Sequence, residues 1–209
     1  MCIRDSVYWH HGVRSASAMF KRAVQEILLH PECQLDGNRF HLLTESELIA
    51  QLKLEQQRLQ LTGSAQLLEG PIYRRLYKVG AILHPGERKR ALMDYLYELF
   101  HNPAKRREKE IELCHTFSKD LGRPLSGHEI LIDIPGFNKS PEVDLKVFYG
   151  PENPSDKADP LTFDNTEVTR LRDSLLDNFE DQAKIFRIFC INDPQLRTLV
   201  RNEAKRYLN

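Results

Sequence analysis

Apolar residues near the front of the chain recur at helical steps. Val13, Ala16, Phe20, Ala23, Val24 and Ile27 fall three and four positions apart, which predicts one buried helix face. His10, Arg14, Ser17 and Lys21 form a polar stripe beside it, turned by about a quarter circle because helical residues advance about 100° each. Imidazole, guanidinium, hydroxyl and amine along one line suit an anionic ligand. The helix is expected to stop near His30-Pro31, since proline disfavours helical geometry in the residue before it.

Local signals carry the reading onward. Asp36-Gly37-Asn38 predicts a turn, and Thr44-Glu45-Ser46-Glu47 a capping box opening a helix through Leu48, Ile49 and Leu52. Ser64 is the expected cap of a further helical turn, which Gly70-Pro71 should break. Residues 72–82 are aromatic and β-branched and predict a strand, with Arg74, Leu76 and Lys78 on one face and Arg75, Tyr77 and Val79 on the other. Cations on one strand face suit a phosphate-bearing partner; equally, they suit an edge strand protected by charge.

After His84-Pro85-Gly86, Leu92, Leu96, Leu99 and Phe100 predict a helix that ends at Asn102-Pro103. The next helix carries Ile111, Cys114 and Phe117 inward and stops at Gly122. Its basic run Lys105-Arg106-Arg107 is interleaved with glutamates, as a solvated helix face would be. Strands are expected over 128–134 and 143–149, a loop over 151–160, and a helix from the Asp164 capping box through Phe179. Residues 184–191 are apolar on both faces, which predicts a central strand, and Asp193-Pro194 should cap a last helix with Leu196, Leu199, Val200 and Tyr207 inward. The fold class expected is mainly α, with an α+β C-terminal lobe in which a small sheet packs with helices.

Composition narrows the partners. Thirty Lys plus Arg balance thirty Asp plus Glu, so bulk charge argues for neither nucleic acid nor an anionic membrane, and any anion site must be local. No apolar run approaches the roughly 20 residues needed to cross a bilayer. The four cysteines, Cys2, Cys33, Cys114 and Cys190, form no C-x-x-C pair, which indicates neither a zinc site nor a disulfide framework and points to a reducing, cytoplasmic setting. Met1-Cys2-Ile3-Arg4-Asp5-Ser6 matches the in-frame translation of a transposase-type library adapter end. Residues 1–6 are therefore expected to be non-native and the reading frame cut on its 5′ side, the alternative being a short native start.

Four stretches together resemble the distal part of an HD-domain phosphohydrolase of the dNTP triphosphohydrolase-like (SAM-and-HD) group. Residues 7–14 are similar to its aromatic-His-x-x-x-Arg helix, 43–48 to its Thr-capped helix, 73–79 to its aromatic-Arg-x-Leu-aromatic-Lys strand, and 128–208 to its C-terminal lobe. The resemblance divides the chain into 7–84, the distal part of the HD catalytic domain, and 85–209, the α+β lobe. It implies that a divalent metal held by an H…HD…D set activates water against a nucleotide phosphate. This chain has no His-Asp dipeptide, so the ligands would lie upstream in a longer parent and the fragment would be inactive.

Residue by residue, the resemblance makes His10, His11 and Arg14 substrate-binding and Arg74 and Lys78 regulatory nucleotide-binding, with no metal ligand or catalytic residue in this chain. Expected partners are a nucleotide or other phosphate-bearing small molecule and, for the parent, further copies of itself. Phe20 stands where the group has a tyrosine against the deoxyribose, and Gly150-Pro151 where a lysine is expected. The alternative is a non-catalytic oligomerisation or nucleotide-sensing lobe.

Overall fold

The computed structural model describes residues 10–83, 90–136, 146–147, 161–162 and 185–207. In chain order these form α1 (His11–Leu28), a 3₁₀ helix (Gly37–Leu42), α2 (Glu45–Arg58), α3 (Thr62–Ile72), β1 (Lys78–Leu83), α4 (Arg90–His101), α5 (Pro103–Leu121), β2 (Ile130–Asp133), β3 (Lys146–Val147), β4 (Leu161–Thr162), β5 (Phe186–Cys190) and α6 (Pro194–Tyr207). The architecture is mainly helical with a small three-stranded antiparallel sheet, as the sequence pattern predicts. Residues 1–9, the loop at 151–160, the helix expected from Asp164, most of the strand at 143–149 and the Tyr207 side chain lie outside the described residues.

The sheet has the order β1-β5-β2, and β5 runs antiparallel to both neighbours. Every residue of β5 is buried, because helices cover both faces. On one face Ala81, Ile130, Ile132, Phe186, Ile188 and Cys190 pack with Leu96, Leu99, Leu113, Phe117, Leu196 and Val200 of α4, α5 and α6. On the other, Tyr77, Leu131 and Phe189 pack with Met19, Ala23, Ile27, Leu52, Leu67 and Leu68 of α1, α2 and α3. Full burial of one such side chain contributes about 1.5–3 kcal/mol. β1, from the front of the chain, and β2 share their neighbour β5, so the segments on either side of residue 84 meet in one sheet.

Capping confirms several boundaries. Thr44 and Glu47 form the reciprocal capping box, Asn102 accepts from the Lys105 amide before Pro103, and Gly122 closes α5 at φ 65°. Asp193 accepts from the amides of Gln195 and Leu196 to start α6. Cys114 and Cys190 are buried, and burial pushes both thiols up to about 12, so they behave as small apolar groups.

The structure corrects four details. The strand expected over 72–82 begins only at Lys78; α3 runs through Gly70-Pro71 to Ile72, and the Tyr73 and Arg75 amides close it on the Glu69 and Gly70 carbonyls. Gly70 is a close-packing position, since a Cβ there would lie 2.1 Å from Met19 Cε of α1. Ser64 caps nothing: it is buried and donates to Glu26 Oε2 at 2.8 Å, while Leu61 is the α3 N-cap. In α1 the deeply buried line is Ser15, Met19, Arg22, Ala23, Glu26 and Ile27, whereas Val13 is 38% exposed. Buried polar groups hold that line: the Ser15 hydroxyl donates to the Tyr77 carbonyl at 2.8 Å, and Arg22 joins Glu26 to Glu110, each contact at 3.0 Å.

Candidate functional site

The register of the sheet decides where its few charges go. Asp133 on β2 and Ile82 on β1 both pair with Arg187 on β5, and residues directly opposite share a face. Arg187 lies two positions from Phe189, so this row belongs to the face that α1 covers. From α1, Arg14 reaches Asp133 with two bonds, Nε to Oδ2 at 2.8 Å and Nη2 to Oδ1 at 2.5 Å. A forked guanidinium–carboxylate pair of this kind fixes orientation as well as supplying energy. Burial lowers the pKa of Arg187 from its ordinary value, and Asp133 opposes that shift while Arg14 adds to it.

Beside this row, between the start of α1, the open edge of β1 and one flank of α6, lies a cleft of about 770 Å³. His10 and His11 come from α1, Lys78 from β1, Arg187 from β5, and Arg197 and Arg201 from α6; Val79, Gly80, Ala81 and Ile82 supply its apolar floor. The imidazoles of His10 and His11 stand 4.1 Å apart, and His10 Nδ1 accepts from the Gly12 amide as the N-cap of α1. Arg197 Nε donates to the Val79 carbonyl at 3.0 Å, covering part of the strand edge. Burial, then the charges of His10, Arg187 and Lys78, hold the His11 pKa below its ordinary value. No carboxylate is among the described residues lining the cleft. Cationic groups with two imidazoles suit an anion with several negative oxygens and do not fit a divalent cation, which takes carboxylates or a compact set of neutral imidazoles.

Two smaller cavities differ in this respect. One of about 340 Å³ contains Glu26, Ser64, Arg107 and His128, and one of about 220 Å³ contains Lys21, Arg22, Arg106, Glu110 and Asp133. Both contain carboxylates. Glu26 takes Arg22, Arg107, His128 and Ser64 at 3.0, 3.0, 3.1 and 2.8 Å.

The residues singled out from sequence are therefore divided. His10, His11 and Lys78 line one cleft. Arg14 is bound to Asp133 outside the lining, and Arg74 sits exposed in the turn after α3 at φ 57°, also outside it. Sequence reasoning missed Asp133, Arg187, Arg197 and Arg201. A signal for the first two was present, because each is a lone charge inside a strand otherwise apolar, and such charges are kept when they can pair.

Fold and cleft together define a helical region with an inserted sheet and a local cationic site. The chain matches the family described as HD associated region over residues 1–154, and it belongs to that family. It is thus an HD-domain-associated protein. No curated protein and no solved structure matches it.

Proposed function

We propose that this chain is the accessory part of a metal-dependent phosphohydrolase acting on nucleotides, of the dNTP triphosphohydrolase-like kind, and that its basic cleft receives nucleotide phosphates. The observation that carries the reading is the meeting of His10, His11 and Lys78, from separate elements, in one cleft lined by cations without a carboxylate. Membership in the HD associated region supports the link to HD-domain phosphohydrolases. The metal bound by an H…HD…D set would supply the activated water, and this chain has no His-Asp dipeptide to contribute. Its own residues bind and orient phosphate: Lys78 as a point charge, His10 as a donor through Nε2–H while Nδ1 caps α1, and His11 as a donor through its ring N–H.

The test is nucleotide binding by calorimetry, with dGTP and GTP as probes. His11→Ala and Lys78→Ala are each expected to weaken binding about 10-fold or more, the scale of one charge-assisted hydrogen bond. Unchanged affinity in both variants would defeat the reading. Incubated with dNTPs and Mg²⁺ or Mn²⁺, the chain should release neither phosphate nor triphosphate; turnover would show that its own residues suffice for catalysis.

A second reading, a nucleotide-sensing lobe without catalytic duty, is favoured by the locking of Arg14 onto Asp133, which uses structurally an arginine expected to touch substrate. Arg14→Ala separates the two. Loss of nucleotide affinity beyond the loss of stability supports substrate contact, whereas loss of stability alone supports the sensing lobe.

A further inference from the structure

We infer that the cavity between α1, the start of α5 and β2 binds a small monocarboxylic acid, its carboxylate on Arg22 and Glu110 and its apolar body against Phe100, Leu131 and Ile134. This cavity is separate from the basic cleft, and its occupation does not depend on the nucleotide reading. Ala18, Lys21, Arg22 and Gln25 reach it from α1 at steps of three and four residues, and Pro103, Arg106 and Glu110 from α5 at the same steps, so each helix presents one face. Phe100 of α4 and residues 131–134 complete the lining.

Two orphaned atoms carry the inference. Arg22 and Glu110 are the most deeply buried polar residues of the lining, at 5% and 2% exposed. Arg22 Nε donates to Glu26 Oε1 at 3.0 Å, and Glu110 Oε1 accepts from the Ile132 amide at 2.8 Å. Arg22 Nη2 and Glu110 Oε2, by contrast, have no hydrogen-bond partner among the described residues. Oε2 stands 3.0 Å from Nη1 of the same guanidinium, but without the alignment of a hydrogen bond. A buried polar atom left unpaired costs the full desolvation penalty of its group, so a ligand that supplies both missing partners is favoured here. A carboxylate does so. One oxygen accepts from Nη2, and the other accepts from Glu110, whose burial favours the protonated form with an O–H at Oε2.

Charge and size narrow the ligand. Lys21, Arg22 and Arg106 bring three cations to the lining. Of the nearby carboxylates, Glu26 is shared among Arg22, Arg107, His128 and Ser64, and Asp133 takes both bonds from Arg14. One further negative charge is therefore accommodated, whereas a phosphate dianion would face Asp133 across the cavity. The volume of about 220 Å³ is below the roughly 300–1,000 Å³ of pockets for drug-sized ligands, which suits a single ring or a short chain. The contact between Arg106 Nη2 and Gln25 Oε1, which joins α5 to α1, is 3.5 Å long and at the limit for a hydrogen bond; parting it to admit the acid costs little.

The experiment is calorimetric titration of the 209-residue chain, at constant ionic strength, with benzoate, benzamide and acetate. Benzoate is expected to bind at least about 10-fold more tightly than benzamide, its neutral counterpart, and than acetate, which lacks the apolar body. Arg106→Ala should weaken benzoate binding about 3- to 10-fold, and Arg22→Lys, which keeps the charge but lacks the forked second nitrogen, about 10-fold or more. Circular dichroism checks that each variant is folded. Should buried Arg22→Lys fail to fold, half-buried Arg106→Ala and the benzoate–benzamide comparison in the unchanged chain decide the question.

Equal affinity for benzoate and benzamide, full benzoate affinity in folded Arg106→Ala, or no benzoate binding at about 10 mM overturns the proposal. Benzoate affinity that falls with Lys78→Ala and not with Arg106→Ala also overturns it, because the acid would then sit in the basic cleft. Loss of this inference leaves dGTP binding through His11 and Lys78 untouched, since those residues line the other cavity.

Discussion

Removal of Asp133 offers a quantitative test of how α1 is fastened to the sheet. Its carboxylate takes both bonds from Arg14, at 2.8 and 2.5 Å, in a pair whose side chains are 15% and 9% exposed. It also faces Arg187 across the β2–β5 register, where burial already disfavours the guanidinium charge. Asp133→Ala therefore strands two guanidinia close together, and taking one partner from a buried pair costs about 3–5 kcal/mol. Arg14→Ala is the milder change, because the carboxylate keeps the charge of Arg187 nearby; loss of a hydrogen-bonded charged partner costs about 1.5–3 kcal/mol. Against a total stability of about 5–15 kcal/mol, Asp133→Ala should lower the melting temperature by about 6–20 °C, at about 2–4 °C per kcal/mol for this size. Urea unfolding of the two single variants and the double variant, followed by circular dichroism, measures the cycle. The double variant should be no less stable than Asp133→Ala, giving a coupling of at least about 1.5–3 kcal/mol. Equal costs for the two single changes, or strict additivity, would refute the view that Asp133 serves two arginines.

Four further outcomes follow from particular contacts. Gly80→Ala places a Cβ 2.6 Å from Val200 Cγ1 and 3.3 Å from Cys190 Sγ, and should cost about 1–3 kcal/mol while weakening dGTP binding, because α6 supplies Arg197 and Arg201 to the cleft; calorimetry and urea unfolding report both effects. Burial pushes the Glu26 carboxyl up, but the hydrogen bond and charge of His128, the Ser64 hydroxyl and Arg22 outweigh it and hold the group at about 2. Its stabilising contribution is thus complete above the unfolded carboxylate range, near pH 4.3, and is lost as pH falls toward 2, so acid unfolding of Glu26→Gln should show a shallower slope over that interval. Burial shifts Glu110 the other way, so its contribution is fully present below the unfolded carboxylate range and lost as pH rises above it; Glu110→Gln should remove that loss on the high-pH side of about 4.3 and leave the slope that Glu26→Gln flattens unchanged. The His11 pKa, held down by burial and neighbouring cations, should rise in Lys78→Ala and, in the unchanged chain, on adding dGTP, which ring-proton NMR follows; no movement on ligand addition would place the anion elsewhere.

Legibility followed the range over which each signal acts. Residues 186–190 were readable as a central strand because burial on both faces leaves an apolar run with no alternation, and α5 was readable because Asn102, Pro103 and Gly122 act within a few residues of its ends. Gly70-Pro71 and Ser64 misled for the opposite reason. The reason for Gly70 is the Met19 side chain, and that for Ser64 is Glu26, 38 positions away. In the site, His10, His11 and Lys78 stood out separately, but no local pattern shows that a helix start and a strand edge share one cleft. Arg187 and Asp133 take their meaning from register, which exists only once β5 has paired on both sides.

That dependence has a consequence for how the cleft is assembled. β1 and β2 both fall inside the matched residues 1–154, but they do not touch as partners; β5, beyond the match, stands between them. Without β5 the Arg187–Asp133 register disappears, and without α6 the β1 edge loses Arg197 at the Val79 carbonyl. A chain ended at residue 154 would retain His10, His11 and Lys78 in sequence while lacking the strand that holds the sheet together and the arginines on the opposite wall. The cationic cleft is therefore a property of the sheet as a whole, and a ligand that bridges its two walls would also hold the C-terminal strand and helix against the family region.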